Sequence, residues 1–321
     1  MTRLDNQPMH LLIPFASAVS DASDHVLRDL QLPTLAKLLA RLTLVATDAG
    51  DEYTLSPPHE RALAAAWGWD GADGTWPFAA RAAMLDGVAV ADRAWGLVTP
   101  THWLVGREHV TLADPEALQL SEAESRAAFG AVRELFESEG FAFEWGAASR
   151  WYVAHESLVE LPCASLDRVI GRNVDLWIRH GANPAPQARL VRRLQSEVQL
   201  LLYPHPINEE REQRGALTLN SFWLSGCGRH QPAEAGDVHV ANSLRAPLLA
   251  QDWAGWADAW HALDAGPLAA LLAAAQAGNA VSLTLCGERS AQRFEAAPRS
   301  LWQRVGSRWS AAEPHTVLEA L

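Results

Sequence analysis

LLYPHPINEEREQRGALTLNSFWLSGCG, residues 201–228, sets a helix end, a dense polar cluster, a strand and a glycine pair side by side. Upstream, Leu190, Val191, Leu194, Val198, Leu201 and Leu202 recur at helical spacing over 187–203, and Pro204 ends that helix. The run YPHPINEEREQR at 203–214 then reads as a loop joining two rigid elements. On it, His205, Asn208 and Arg211 carry groups that hydrogen-bond an anion, the arginine offering a planar fork to phosphate or carboxylate. Asn and His next to proline also cap helices and turns, so the same residues have a purely structural reading. A strand over 217–224 carries Asn220 and Trp223, and Ser225-Gly226-Cys227-Gly228 closes it. A glycine turn after a strand can cradle phosphate on backbone N–H groups, but the lysine and spacing of a P-loop are missing.

Outward from this stretch the pattern divides the chain. At the N-terminal side, 10–15 (HLLIPF) predicts a buried strand, and 24–42 predicts helix restarted at Pro33. Helices follow over 59–67 and 79–86, separated by the loop GWDGADGTWP at 68–77. From 94 to 112 the sequence alternates and is rich in Val, Thr and Trp, predicting two or three strands. Ser121 with Glu124 reads as a capping box opening a helix that Gly140 stops; 141–145 and 150–155 read as strands, and 183–186 (NPAP) as a loop. Beyond Gly228, helices are expected over 244–263, 267–276 and 300–309, with a buried strand over 280–286. Both ends therefore read as strand-helix α/β and the middle as α+β. The expected organisation is an α/β core domain over 1–95 and 215–321, with an α+β domain inserted over 96–214.

Composition narrows the function classes. Lys and Arg number 26 against 38 Asp and Glu, and the resulting net charge of −12 repels nucleic acid and anionic lipid. The densest basic run, Arg189 to Arg193, falls on a helix and reads as a solvated face. Apolar runs stop short of a membrane span, residues 1–10 have no export-signal pattern, and the three cysteines are far apart in sequence. These features predict a soluble, cytoplasmic protein. Trp67, Trp69 and Trp76 around one loop offer a carbohydrate-binding alternative, whereas Trp253, Trp256 and Trp260 are spaced for one buried helix face. Cys227, His230 and His239 lack the fourth ligand and paired spacing of a zinc site. Ser17, Ser20, Asp21 and Asp24 lie just past the first strand, where open α/β sheets place ligands, and read as helix caps.

The stretch 201–228 resembles the archaeal-type cofactor-independent phosphoglycerate mutases of the alkaline phosphatase superfamily. Their corresponding segment runs His-Pro-Val-Asn, an Arg-rich turn, Gly, then Asn before an apolar strand ending Gly-x-Gly. The order of 94–109, the helix from 120 and Arg150-Trp151-Tyr152-Val153 is similar to that family's inserted domain, and 30–42 to its first core helix. The wording of 192–215 is similar to a proteobacterial group described either as regulatory protein RpfE or as phosphoglycerate-mutase-like. The resemblance implies an alkaline-phosphatase-like core, and it implies a ligand role for Arg150, His205, Asn208, Arg211 and Asn220. This chain departs from the family where chemistry is concerned. The first strand ends Pro14-Phe15-Ala16-Ser17 instead of Asp-Gly, and no Asp-His pair follows Gly228. Two-metal phosphoryl transfer needs those ligands.

The expectation is thus a regulatory or ligand-binding protein without the catalytic metal site, with no metal and no cofactor. Its partners are expected to be a small phosphorylated or carboxylated metabolite and another protein. The alternative is an active phosphotransferase or phosphatase with a non-standard metal site drawn from Asp21, Asp24, His230 and His239.

Overall fold

The structure is a computed structural model that describes residues 9–179, 186–233, 238–296 and 313–321. The readings of 183–185 as loop and 300–309 as helix lie outside the described residues. The chain divides into two compact units, one of 1–52, 57–68 and 233–321, the other of 53–56 and 69–232.

In the first unit the apolar run at the start forms β1 (Met9–Ile13), followed by α1 (Asp21–Asp29), α2 (Pro33–Leu39), β2 (Thr43–Ala49) and α3 (Pro58–Ala66). After the second unit come β9 (Val238–Val240), α10 (Arg245–Leu249), α11 (Trp253–Ala265), α12 (Pro267–Gln276), β10 (Val281–Cys286), β11 (Ser290–Glu295) and α13 (Pro314–Glu319). The sheet order is β2-β11-β10-β1-β9, with β1 parallel to β9 and β10, and β11 antiparallel to both of its neighbours, β10 and β2. Strand β10 is buried along its whole length between β1 and β11, with its two polar side chains hydrogen-bonded, Thr284 to His10 and Ser282 to Arg293. Leu35, Leu38 and Leu39 of α2 pack with Trp256, Trp260 and Leu263 of α11 and with Leu268 and Leu271 of α12. Pro33 begins α2 with no side-chain cap on Leu32, and Asp264 supplies the missing acceptor from α11: its carboxylate takes N–H bonds from Thr34 (3.1 Å) and Leu35 (2.8 Å).

The second unit contains α4 (Phe78–Leu85), β3 (Ala94–Thr101), β4 (Trp103–Val105), β5 (Val110–Leu112), α5 (Glu122–Glu137), β6 (Ala142–Ala147) and β7 (Arg150–Ala154). It continues with α6 (Leu166–Val169), α7 (Val174–Arg179), α8 (Pro186–Leu202), α9 (Pro206–Gln213) and β8 (Ser221–Arg229). Strands run antiparallel in the order β6-β7-β3-β8, and β4 pairs with β5. Alternation sorts the sheet's two faces. Trp151 and Val153 join Phe129, Val132 and Phe136 of α5 and Leu194, Val198 and Leu202 of α8, while Tyr152 and Ala154 meet Ala79, Ala80 and Ala83 of α4. The Ser121–Glu124 capping box is formed as the sequence predicts.

Several expectations change. Strand β8, assigned by sequence to the core domain, pairs with β3, and α4 packs on the same sheet, so the α+β unit reaches beyond 96–214 on both sides. Residues 206–213, read as loop, form α9, because His205 caps it and Pro206 occupies its first turn. Gly226 and Gly228 do not close β8; they lie within it, beside a register shift against β3. Gly226 has φ 62°, and an added Cβ would come 2.8 Å from the Ala79 nitrogen, so α4 can approach the strand only at glycine. Helix over 244–263 breaks into α10 and α11, and 43–49, unassigned by the sequence pattern, is the exposed strand β2.

Candidate functional site

The residues expected to hold an anion are largely occupied by the chain itself. His205 Nδ1 accepts from the Ile207 N–H at 3.3 Å, as the N-cap of α9. Asn208, buried, donates from Nδ2 to the carbonyls of Leu202 and Leu219 and accepts the Leu219 N–H on Oδ1, each at 2.8 Å. It ties the end of α8 to the approach to β8. Arg211 has no exposed surface; Nε donates to Leu217 O (2.6 Å), Nη2 to Leu118 O, and Nη1 to Glu124 Oε1 (2.7 Å). Asn220 exchanges hydrogen bonds with the backbone of Trp103, accepting at 2.7 Å and donating at 3.0 Å.

Arg150 is held elsewhere on the unit, its Nε and Nη2 both 2.8 Å from the Asp86 carboxylate, which also accepts from the Tyr152 hydroxyl at 2.6 Å. The hydrogen bond from Arg150 outweighs burial and holds the Asp86 carboxyl below its ordinary range, while burial and Asp86 push the Tyr152 phenol up. The structure thus gathers His205, Asn208 and Arg211 on α9 with Asn220 close in sequence, and gives Arg150 a different partner. Asn208 and Arg211 are structural residues: their buried polar atoms are already committed, which removes them from a solvent-facing anion site.

The tryptophan and cysteine groupings resolve similarly. Trp69 is buried edge-on against Phe78 at 5.2 Å, so the 68–77 loop does not offer three exposed rings. Trp256 and Trp260 are fully buried, as their helical spacing predicts. Cys227 lies against Cys163, with 3.6 Å between the sulfur atoms. In the basic run, Arg193 pairs with Glu139 at 2.6 Å and Arg192 Nη2 donates to Ile178 O at 2.8 Å.

Parallel β1 and β10 present their carboxyl ends together, the usual ligand edge of an α/β sheet. A cavity of ≈ 290 Å³ lies there in the first unit, lined in part by Ser17, Ser20, Asp21, Asp24, Leu27 and Leu321. Ser20 is the N-cap of α1, accepting from the Ser23 N–H at 3.1 Å, whereas Asp21 and Asp24, read as caps, lie inside the helix's first turn, where their charge complements the helix dipole. Phe15 carries φ 58°, a conformation unusual for a bulky residue; its carbonyl accepts from Trp256 Nε1 at 3.1 Å and its ring lies 5.2 Å from His59. Among the described residues no group of three or more His, Cys, Asp or Glu side chains is placed to hold a metal ion. At this edge the turn after β1 carries Pro14, Phe15, Ala16 and Ser17. Among the described residues, too, no helix is long and apolar enough to cross a membrane.

A pocket in the second unit fits a ligand better. A cavity of ≈ 70 Å³ is bounded by Leu161, Cys163, Trp177, Val191, Arg192, Gln195 and Trp223, from the 161–164 segment, α7, α8 and β8. The 161–164 segment is pinned by two bonds: Trp223 Nε1 donates to Ala164 O at 2.8 Å, and the Cys163 N–H to Gly74 O at 3.0 Å. Gln195 Nε2 donates to Phe222 O at 3.2 Å. Trp177 is 6% exposed, and its Nε1, like Arg192 Nε, is buried with no hydrogen-bond partner among the described residues. Both residues line the cavity, but these two N–H groups are themselves closed off from it; what the cavity offers a ligand is a mostly apolar wall with a cationic side chain among its members. At roughly 10–15 Å³ per water, the space suits a carboxylate-sized head. Sequence reasoning missed this site because its members span 161 to 224 and are mostly apolar; the run Arg189 to Arg193 was its single visible signal.

No protein-family model and no curated protein matches the chain. Among solved structures, the chain is similar to the PH0037 protein from Pyrococcus horikoshii, with a TM-score of 0.44 and 13% identity over 91% of this chain and 88% of that one. It is also similar to a cofactor-independent phosphoglycerate mutase from Thermoplasma acidophilum DSM 1728, with a TM-score of 0.37 and 13% identity over 98% and 99% of the two chains.

Proposed function

We propose that this chain is a phosphoglycerate-mutase-like protein without the catalytic metal site, working as a regulatory or ligand-binding protein for a small carboxylated or phosphorylated metabolite. The observation that carries the reading is the turn after β1, Pro14-Phe15-Ala16-Ser17, which brings no carboxylate to the edge where the resembled enzymes place a metal-binding Asp. Phosphoryl transfer by two metals depends on ions that stabilise the attacking and leaving oxygens, and a donor set lacking those ligands cannot supply that stabilisation. The metabolite's acidic head is assigned to the pocket that Arg192 and Trp177 line. A regulatory role exercised through a protein partner is part of this reading. The acidic charge supports a setting without nucleic acid, and a cytoplasmic location is part of the same reading.

The test is turnover. Purified protein with added manganese is assayed for mutase activity on phosphoglycerate and for hydrolysis of an aryl phosphate. The expected outcome is no rate above that of buffer with manganese alone. Saturable turnover that copurifies with the protein and vanishes with a chelator overturns the proposal.

A further inference from the structure

We propose that Cys163 and Cys227 form an oxidisable dithiol that closes to an intramolecular disulfide by exchange with a low-molecular-weight disulfide. Cys163 is on the short segment between the single helical turn Glu156–Leu158 and α6; Cys227 is on β8, 64 residues later in the chain. Their sulfur atoms are nevertheless 3.6 Å apart. Sulfur–sulfur bond formation requires an approach of about 1.5 Å more, to the ~2.05 Å of a disulfide. The two segments are already fastened next to the thiols by the Trp223–Ala164 bond, so the pair is held in register before any bond forms.

The two thiols differ in access, which sets the order of steps. Cys163 is half-buried and forms part of the pocket wall, whereas Cys227 is fully buried. The Cys227 sulfur packs over Gly96, where an added Cβ would come within 3.1 Å of it. The Cys163 thiolate therefore attacks one sulfur of the incoming disulfide and releases one small thiol. The Cys227 sulfur then attacks the Cys163 sulfur of the mixed disulfide and displaces the second small thiol, which carries away the proton. Two protein thiols and one small disulfide become one protein disulfide and two small thiols. The hydrogen bond with Cys163 and burial both raise the Cys227 thiol's pKa, which leaves Cys163 as the first nucleophile. The third thiol, Cys286, is fully buried in β10, where burial pushes its pKa up, and it serves as an internal control. This proposal is independent of the ligand assigned to the pocket.

The experiment uses the full chain, reduced, freed of reductant and titrated with oxidised glutathione. Remaining thiols are then alkylated in denaturant and located by peptide mass mapping. The expected result is a peptide pair linked through Cys163 and Cys227, with Cys286 alkylated and the link reversed by dithiothreitol. In Cys227→Ser the reaction is expected to stop at a glutathione adduct on Cys163. Full alkylation of all three cysteines after oxidation overturns the proposal, and so does a persistent glutathione adduct on wild-type Cys163 or a link involving Cys286.

Discussion

Arg211 Nη1 lies 2.7 Å from Glu124 Oε1, and the guanidinium has no exposed surface. The same carboxylate closes the capping box at the start of α5, accepting from the Ser121 N–H at 2.9 Å and hydroxyl at 2.7 Å, and it also pairs with Arg214. One side chain thus joins the N-terminus of α5 to α9. Removing one partner of such a pair leaves a buried charge uncompensated. Glu124→Ala is therefore expected to cost about 3–5 kcal/mol of stability, read from urea unfolding. Arg211→Leu removes the charge but strands the carbonyls of Leu118 and Leu217, and is expected to cost a comparable amount. An Arg211→Leu protein of wild-type stability would contradict the structural assignment.

How much of this was legible in the sequence depended on the range of each interaction. The capping box is local: Ser121 and Glu124 are three residues apart, and their pattern names the bond that forms. Helix α8 and strand β10 were readable because burial imposes its own periodicity on the chain. Helix α9 was not, because a short, highly charged segment after two prolines has the composition of a loop, and only the cap at His205 distinguishes the two. Strand β2 escaped because nearly all of it is exposed, so burial leaves no alternation to read. Arg211 illustrates the same limit at the site. An arginine's type announces affinity for an anion, but the Glu124 that satisfies it is 87 residues away. The Cys163–Cys227 contact and the Trp177–Arg192 pocket are likewise products of tertiary packing alone.

Acid should weaken the two units in different pH windows. His10 on β1 is held neutral, with its pKa lowered from 6.5 to about 4, first by burial and then by Arg293; its ring bonds Thr284 Oγ1 at 2.8 Å. A histidine with a depressed folded pKa contributes stability that is complete above the unfolded value and is lost as pH falls through the folded one. The first unit therefore loses on the order of 3 kcal/mol between pH 6.5 and about 4. For Glu124, burial raises the pKa, but hydrogen bonds from Ser121, Arg211 and Arg214 outweigh it and lower the group from 4.5 to about 2. Its contribution is complete above pH 4.5 and is lost as pH falls to about 2. Urea unfolding monitored across pH should show His10→Gln flattening only the upper window and Glu124→Gln only the lower one.

Asp264 is the external cap of α2, accepting from Thr34 and Leu35 while itself only 5% exposed. Asp264→Ala strands two helix N–H groups in the first unit's core and is expected to cost about 1–3 kcal/mol. Asp264→Asn keeps one acceptor oxygen and is expected to cost less. Thermal unfolding of both variants ranks them, and an alanine variant as stable as the asparagine variant would remove the capping role.

The central claim is that the carboxyl edge of β1 and β10 does not assemble a metal centre. Metal analysis of the purified protein tests this directly, after incubation with manganese and zinc and removal of excess ion by gel filtration. The account predicts substoichiometric metal, unchanged when Asp21 and Asp24 are both replaced by Asn. One or two ions retained per chain, and lost in that double variant, would contradict it.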